Sequence, residues 1–224
     1  MKAAFSPSLM CMDFLKIREQ LEVMNQHVDM YHIDIMDGHY CKNIALSPYM
    51  VETFAKVAKK PMDCHLMTTN PTDWIEVLAK AGAAYISPHA ETINTDAFRI
   101  IHLIKSFGCK IGVVLNPATP LSYIKHYINR IDLLTIMSVD VGFASQPFVD
   151  EMLDKIREAK QMREENGYSY RIQIDGSCNK SNYKCLTEAG GEIFVVGNSG
   201  LFDLDENMNS ACEKMFEEYQ KSLS

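Results

Sequence analysis

The stretch YHIDIMDGHY (31–40) sets a histidine and two aspartates, His32, Asp34 and Asp37, in a run that otherwise reads as a buried strand. Buried charge is costly unless it is paired, hydrogen-bonded or bound to a metal, so a strand ending in ionisable groups points to a working site. His32 and Asp34 are two residues apart and share a strand face. Three other apolar runs end similarly: AAFSPSL (3–9) carries Ser8, PMDCHLM (61–67) closes on His65 and Met67, and SYRIQID (169–175) closes on Asp175. Two imidazoles and two or more carboxylates suit one divalent transition metal with mixed N/O ligands, Zn²⁺, Co²⁺ or Mn²⁺, with iron a further candidate. Each residue also has an ordinary role. Asp37 before Gly38 reads as a turn, and His27, His39, His102 and His126 read as structural or surface groups. Joint placement at strand ends is what lifts His32, Asp34, His65 and Asp175 above that background.

Residues as far apart as Ser8 and Asp175 must be brought together by the fold. Besides these four runs, apolar segments lie at AAYISPH (83–89), CKIGVVL (109–115), IDLLTIM (131–137) and EIFVVG (192–197). Amphipathic stretches such as 12–26, 70–82 and 94–108 lie between the runs, several opening at an Asp, Asn or Ser cap and closing at Gly. Near-continuous apolar strands alternating with helices imply a covered parallel sheet, and eight units in 224 residues fit a closed (β/α)8 TIM barrel, one catalytic domain over residues 1–224. An open doubly wound sheet is the alternative. A barrel converges all its strand ends on one mouth, which the distribution of reactive residues favours.

A second group is rich in glycine and lies late: DVGFASQPF (140–148), DGS (175–177) and VGNSGLF (196–202) follow the sixth, seventh and eighth strands. Such loops let backbone N–H groups close on an anion, and in barrels the last loops commonly hold phosphate. There is no G-x-x-x-x-G-K-[ST] or G-x-G-x-x-G pattern, which argues against nucleoside triphosphates and dinucleotides. A net charge of −7 offers no basic field for nucleic acid or an anionic membrane. No apolar run approaches a bilayer span, and MKAAFSPSLM lacks the apolar core of a signal peptide, so a cytoplasmic location is expected. Seven scattered cysteines suggest reduced thiols and no disulfide framework.

Through SPSLM (6–10), HIDIMDGHYCKN (32–43), DCHLM (63–67), VDVGFASQPF (139–148), IDGS (174–177) and VGNSGLF (196–202), the chain resembles the ribulose-phosphate 3-epimerase family along its whole length. SPSLMCMD, ETIN and GNSGLF make it most similar to the branch acting on D-allulose 6-phosphate. The resemblance implies a metal-dependent isomerase that inverts carbon 3 of a ketose phosphate, here D-allulose 6-phosphate to D-fructose 6-phosphate, with D-ribulose 5-phosphate the alternative. By position, His32, Asp34, His65 and Asp175 would hold the metal, and Asp34 and Asp175 would be the acid/base pair. Ser8 and His65 would touch the sugar. Gly142, Phe143, Ala144, Ser145, Gly176, Ser177, Gly197, Asn198 and Ser199 would hold the rest of the substrate and its phosphate, beside a lining of Met36, Met67 and Met137. The partner is then a small sugar phosphate, and a homo-oligomer is expected. The chain departs from the family pattern at Val141 and Ser145, where proline and glycine are usual, and at YCKN (40–43) in place of Phe-Val-Pro-Asn.

The hydrogen beside a ketone is a weak acid, so its removal needs a placed base and stabilisation of the charge left on oxygen. Two carboxyl groups on opposite faces invert the centre without a redox cofactor. A decarboxylase or aldolase in the same barrel would rely on a lysine, and the second and third strands have none. A sugar-phosphate sensor would not require two carboxylates around a metal.

Overall fold

The structure is a computed structural model describing residues 3–224. Its eight strands are the centres of the eight apolar runs: β1 (Ala4–Pro7), β2 (Tyr31–Met36), β3 (Met62–Met67), β4 (Tyr85–Pro88), β5 (Lys110–Leu115), β6 (Leu133–Met137), β7 (Arg171–Asp175) and β8 (Ile193–Val196). They pair in parallel in the order β1-β8-β7-β6-β5-β4-β3-β2. Among the described residues no ladder joins β1 to β2. One parallel bridge, Ser8 to His32, and bonds from the N–H groups of Asp29 and Met30 to the Phe5 carbonyl (3.1 and 3.4 Å) bring these two strands together. The sheet is therefore a nearly closed (β/α)8 barrel, not the open doubly wound alternative.

Around it run α1 (Ile17–Met24), α2 (Pro48–Ala55), α3 (Thr72–Ala81), α4 (Ala90–Ile93), α5 (Ala97–Ser106), α6 (Met152–Asn166), α7 (Tyr183–Ala189) and α8 (Met208–Leu223). The expected stops are present: α3, α6 and α7 end on Gly82, Gly167 and Gly190 with left-handed φ. Side-chain caps are fewer than expected. Asn207 caps α8 and Asp13 caps a 3-10 turn, whereas Ser47, Asp96 and Asn182 make no capping bond. The stretch 12–26 starts as a 3-10 turn at Phe14–Lys16 before α1 begins. After β5, two 3-10 turns (Leu121–Ile124 and Ile128–Arg130) replace an α-helix, following Pro117 and Pro120, which lack the N–H a helix needs. No helix of the described residues is long and apolar enough to cross a membrane.

Strand alternation creates two unlike cores. Outward-facing residues such as Ile33, Leu66, Ile86, Val113, Ile136 and Ile174 pack with helix residues including Leu21, Phe54, Leu78, Ile104 and Ile156 in one apolar cluster. Inside the barrel, Ala4, Met30, Leu133 and Ile193 plug the bottom. Above this plug the interior is polar: Ser6, His32, Asp63, Ser87, Thr135 and Gln173 are all fully buried. The Ser87 hydroxyl donates to Asp63 Oδ1 (2.5 Å), and Gln173 Nε2 donates to Asp63 Oδ2 (2.8 Å) and Thr135 Oγ1 (3.1 Å). β3 and β7 lie four steps apart in the sheet, so the Gln173–Asp63 bond spans the barrel's interior.

This layer leaves no room on β5. A Cβ on Gly112 would lie 1.9 Å from Ser87 Oγ, displacing the donor that Asp63 depends on. Gly112→Ala should therefore cost ~1–3 kcal/mol, through overpacking and a loosened buried carboxylate. Urea unfolding with an unaltered slope and a lower midpoint is the expected result; an unmoved midpoint would mean that the layer has slack.

Candidate active site

Four donor atoms converge at the barrel mouth, on the C-terminal side of the polar layer. His32 Nε2 and His65 Nδ1 are 3.2 Å apart, and Asp34 Oδ1 lies 3.5 Å from each. Asp175 Oδ2 lies 3.4 Å from each. The whole His32, Asp34, His65 and Asp175 set falls within 4.8 Å. A tetrahedron with metal–ligand bonds of about 2.1 Å has edges of about 3.4 Å. Five of the cage's edges fall between 3.2 and 3.5 Å and all four atoms lie within 4.8 Å of one another, so the residues can close on one divalent cation, though not as a regular tetrahedron.

Electrostatics argue the same way. Burial alone would lower the basicity of His32 and His65, yet Asp34 and Asp175 outweigh it and hold both rings above the usual histidine range. Burial likewise opposes ionisation of the two carboxyls, but the imidazoles hold both well below the usual range. Two carboxylates thus draw positive charge into the cage. Without a cation that charge can only be protons on the rings, which would set two N–H groups face to face. A divalent ion satisfies all four atoms at once.

The supporting side chains were not singled out in the sequence. His32 Nδ1 faces Asp63 Oδ2 at 3.3 Å, a carboxylate behind a candidate ligand. His65 Nε2 meets His89 Nε2 at 2.8 Å, and His89 Nδ1 faces Glu91 Oε2 at 3.4 Å. Burial pushes His89 down to about 4, so its ring is neutral near pH 7. A signal for these residues did exist. Asp63 and His65, Ser87 and His89, and Gln173 and Asp175 are each two apart, which puts supporting group and upper-layer group on the same inward face.

The cage lies at the floor of an open cavity with about 660 Å³ of unfilled space, counting the part open to solvent, a small-molecule size. Asp34, His65 and Asp175 reach its wall, whereas His32 is fully buried below. Ser8 lines the cavity, and its hydroxyl donates to Asp34 Oδ2 at 2.7 Å, the oxygen turned away from the cage. Met36 and Met67 line the cavity at the ends of β2 and β3 and Met137 faces them from the end of β6 across the barrel, while Gly142, Phe143, Ala144, Ser145, Gly176, Ser177, Gly197, Asn198 and Ser199 form the rim. The structure thus brings every expected site residue to the cavity or, for His32, directly beneath it. It adds Met10, Cys11, Val139, Asp140, Gln146, Cys178 and Val195 to the wall. Asp37 is the expected turn: it accepts from the N–H groups of His39, Tyr40 and Thr69, tying two rim loops together.

Two rim residues, Ser145 (φ 61°) and Ser177 (φ 52°), hold the left-handed conformation that favours glycine. Gly176 beside Ser177 has φ 122°, and a Cβ there would meet Val139 Cγ2 at 2.7 Å. Turns of this kind can present successive N–H groups to an anion, and these two lie on the cavity rim. Ser145, where the resemblance leads one to expect glycine, thus adopts a conformation that glycine would adopt without strain.

Comparison with known proteins follows this geometry. The model of the ribulose-phosphate 3 epimerase family matches residues 4–202. The chain is 40% identical over 196 residues to the ribulose-phosphate 3-epimerase of Bacillus subtilis (strain 168), covering 87% of this chain and 90% of that protein. It is 35% identical over 200 residues to the enzyme of the same name from Escherichia coli (strain K12), covering 88% of each. Among solved structures it resembles KGPDC from Streptococcus mutans (TM-score 0.73, 12% identity, 100% of each chain). It also resembles 3-hexulose-6-phosphate synthase from Salmonella typhimurium (TM-score 0.67, 14% identity, 98% of this chain and 99% of that one). At those identities the structural matches speak for the barrel alone, whereas the sequence matches decide membership: the chain belongs to the ribulose-phosphate 3-epimerase family.

Proposed function

We propose that this protein is the epimerase that interconverts D-allulose 6-phosphate and D-fructose 6-phosphate by inverting carbon 3. That it is an isomerase, a carbohydrate-phosphate 3-epimerase, follows from the family. The observation that carries the mechanism is one cage holding two carboxylates from strands on different sides of the barrel, β2 and β7, at the floor of an anion-suited cavity. A divalent ion held by the mixed N/O set of His32, Asp34, His65 and Asp175, such as Zn²⁺, Co²⁺ or Mn²⁺, would supply Lewis-acid stabilisation of charge developing on the sugar oxygens.

Asp34 and Asp175 each direct one oxygen to the cage and keep a second oxygen for proton transfer. One, ionised, takes the hydrogen of carbon 3; the other, protonated, delivers a proton to the opposite face, and the roles reverse in the back reaction. Each turnover exchanges the protonation states of the pair, so solvent must reset them. Ser8 steadies Asp34 Oδ2 through its 2.7 Å bond. Met36 and Met67 on one side and Met137 on the other give the reacting centre poorly hydrated flanks. The phosphate rests against Ser145, Gly176, Ser177 and Gly197 to Ser199.

The six-carbon substrate is supported by the likeness of SPSLMCMD, ETIN and GNSGLF to the allulose-phosphate branch; Met10, Cys11, Asn198 and Ser199 from these segments line the cavity. D-Ribulose 5-phosphate is the competing substrate, favoured by the names of the relatives at 35 and 40% identity. Side-by-side assays of zinc-loaded protein should give the higher kcat/KM with D-allulose 6-phosphate. Equal or reversed preference would move the assignment to the five-carbon sugar.

Metal uptake should depend on pH in a fixed direction. His32 and His65 are held above their usual range, so protons occupy the cage in the metal-free protein near neutrality and compete with the ion. Affinity should therefore rise with pH until both rings are bare and then level off, and calorimetry near pH 7 should register release of up to about two protons per ion. Binding without proton release would contradict the ligand set.

The paired-aspartate mechanism predicts solvent deuterium at carbon 3 during turnover in heavy water. Asp175→Asn, checked to retain its ion, should lose net inversion by ~10²-fold or more while Asp34 still exchanges the hydrogen of the one epimer it faces. Asp34→Asn should show the complementary preference by NMR of each epimer. Normal epimerisation by either metal-loaded variant would rule out the pair.

A further inference from the structure

We propose that His89 and Glu91 form a relay that determines which ring nitrogen of His65 is bare, making them positioning residues for the cage. The proposal rests on the reading of His65 as a metal ligand. His65 presents Nδ1 to the cage, and its other nitrogen lies 2.8 Å from His89 Nε2, with both residues fully buried. Two imidazole nitrogens at that distance share one hydrogen. For His65 Nδ1 to keep a lone pair for a cation, that hydrogen belongs to His65 Nε2, and His89 Nε2 must accept it. His89 then carries its own hydrogen on Nδ1, directed at Glu91 Oε2 3.4 Å away. Among the described residues neither His89 Nδ1 nor Glu91 Oε2 has any other partner. A carboxylate can only accept, so Glu91 dictates the tautomer of His89, and His89 that of His65.

The segment after β5 and the loop after β2 hold Glu91 and His89 in place. Its Oε1 accepts from the Asn116 N–H at 3.1 Å and from the Thr119 hydroxyl. The Tyr40 ring lies against His89, centroids 4.8 Å apart, and Asn116 Nδ2 donates to the Tyr40 hydroxyl at 2.6 Å. The two candidate ligand histidines are thus held differently: His32 by the Asp63 carboxylate directly, His65 through an intermediate ring.

Glu91→Gln is nearly isosteric and tests the relay. The two donors on Oε1 require an oxygen there, so the amide nitrogen takes the place of Oε2 and offers hydrogens to His89 Nδ1. His89 then carries its hydrogen on Nε2, against His65, whose own hydrogen is driven to Nδ1 and into the cage. Zinc affinity, measured by chelator competition, should fall ~10–100-fold in this variant. In a His89→Phe background, Glu91→Gln should have no further effect, because the intermediate ring is gone. Unchanged affinity in the single variant, or an equal loss in the His89→Phe background, would overturn the relay. Long-range ¹H–¹⁵N NMR of the zinc-loaded natural protein tests it without any substitution. Hydrogens on His65 Nε2 and His89 Nδ1 are expected, and a hydrogen on His89 Nε2 overturns it. Failure of the natural protein to bind one zinc is a distinct result that sinks the metal reading instead.

Discussion

Two carboxylates and two imidazoles packed within 4.8 Å of one another, with five edges of 3.2 to 3.5 Å, at the floor of a cavity cannot share that space without positive charge between them. Much of the upper barrel is arranged around that constraint. The aspartates come from β2 and β7 and the histidines from β2 and β3, so three strands must hold their register to within a fraction of a residue spacing. The Ser8 bond to Asp34 and the Asp63 contact with His32 each restrain a cage residue from the side away from its neighbours.

The polar middle of the barrel follows from the same demand. An interior filled with branched aliphatic side chains would pack well but could not orient an imidazole. Here the aliphatic material is moved to the bottom plug and to the sheet–helix layer, and the middle consists of polar side chains, of which His32, Asp63, Ser87, Thr135 and Gln173 contact one another. Asp63, with Ser87 and Gln173 on its oxygens, is acceptable in a dry interior because its capacity for hydrogen bonds is largely met. Close packing around it leaves glycine as the only residue that fits at position 112.

How much of this was legible in the sequence depended on the kind of signal. All eight strands were marked by apolar runs, and His32, Asp34, His65 and Asp175 stood out because an ionisable group at the end of such a run has few innocent explanations. The supporting layer was harder to see, since Asp63, Ser87 and Gln173 sit inside the runs and look like interruptions of a hydrophobic pattern. They become visible once each is paired with the reactive residue two places on. His89 was passed over at the end of β4 because its role is defined by His65 and Glu91, contacts across strands and loops that one sequence does not spell out. Helix caps are poorly legible, because Ser47, Asp96 and Asn182 have the right chemistry but make no bond to the helix backbone.

The join between β1 and β2, where a single bridge replaces a ladder, has a mechanical consequence. His32, Asp34 and His65 stand on one side of that gap, while Asp175 and Ser8 stand on the other. An ion held by all four of these residues would lace the barrel across its least sewn edge, so that loading the site would close the ring as well as arm it. Without an ion, the gap between β1 and β2 is crossed mainly by the Ser8–His32 bridge, the Ser8–Asp34 bond and the contacts at Phe5, with the Gln173–Asp63 bond reaching over the interior. Strand hydrogens along this edge, slow to exchange in the loaded protein, would be the first to reach solvent once it is stripped.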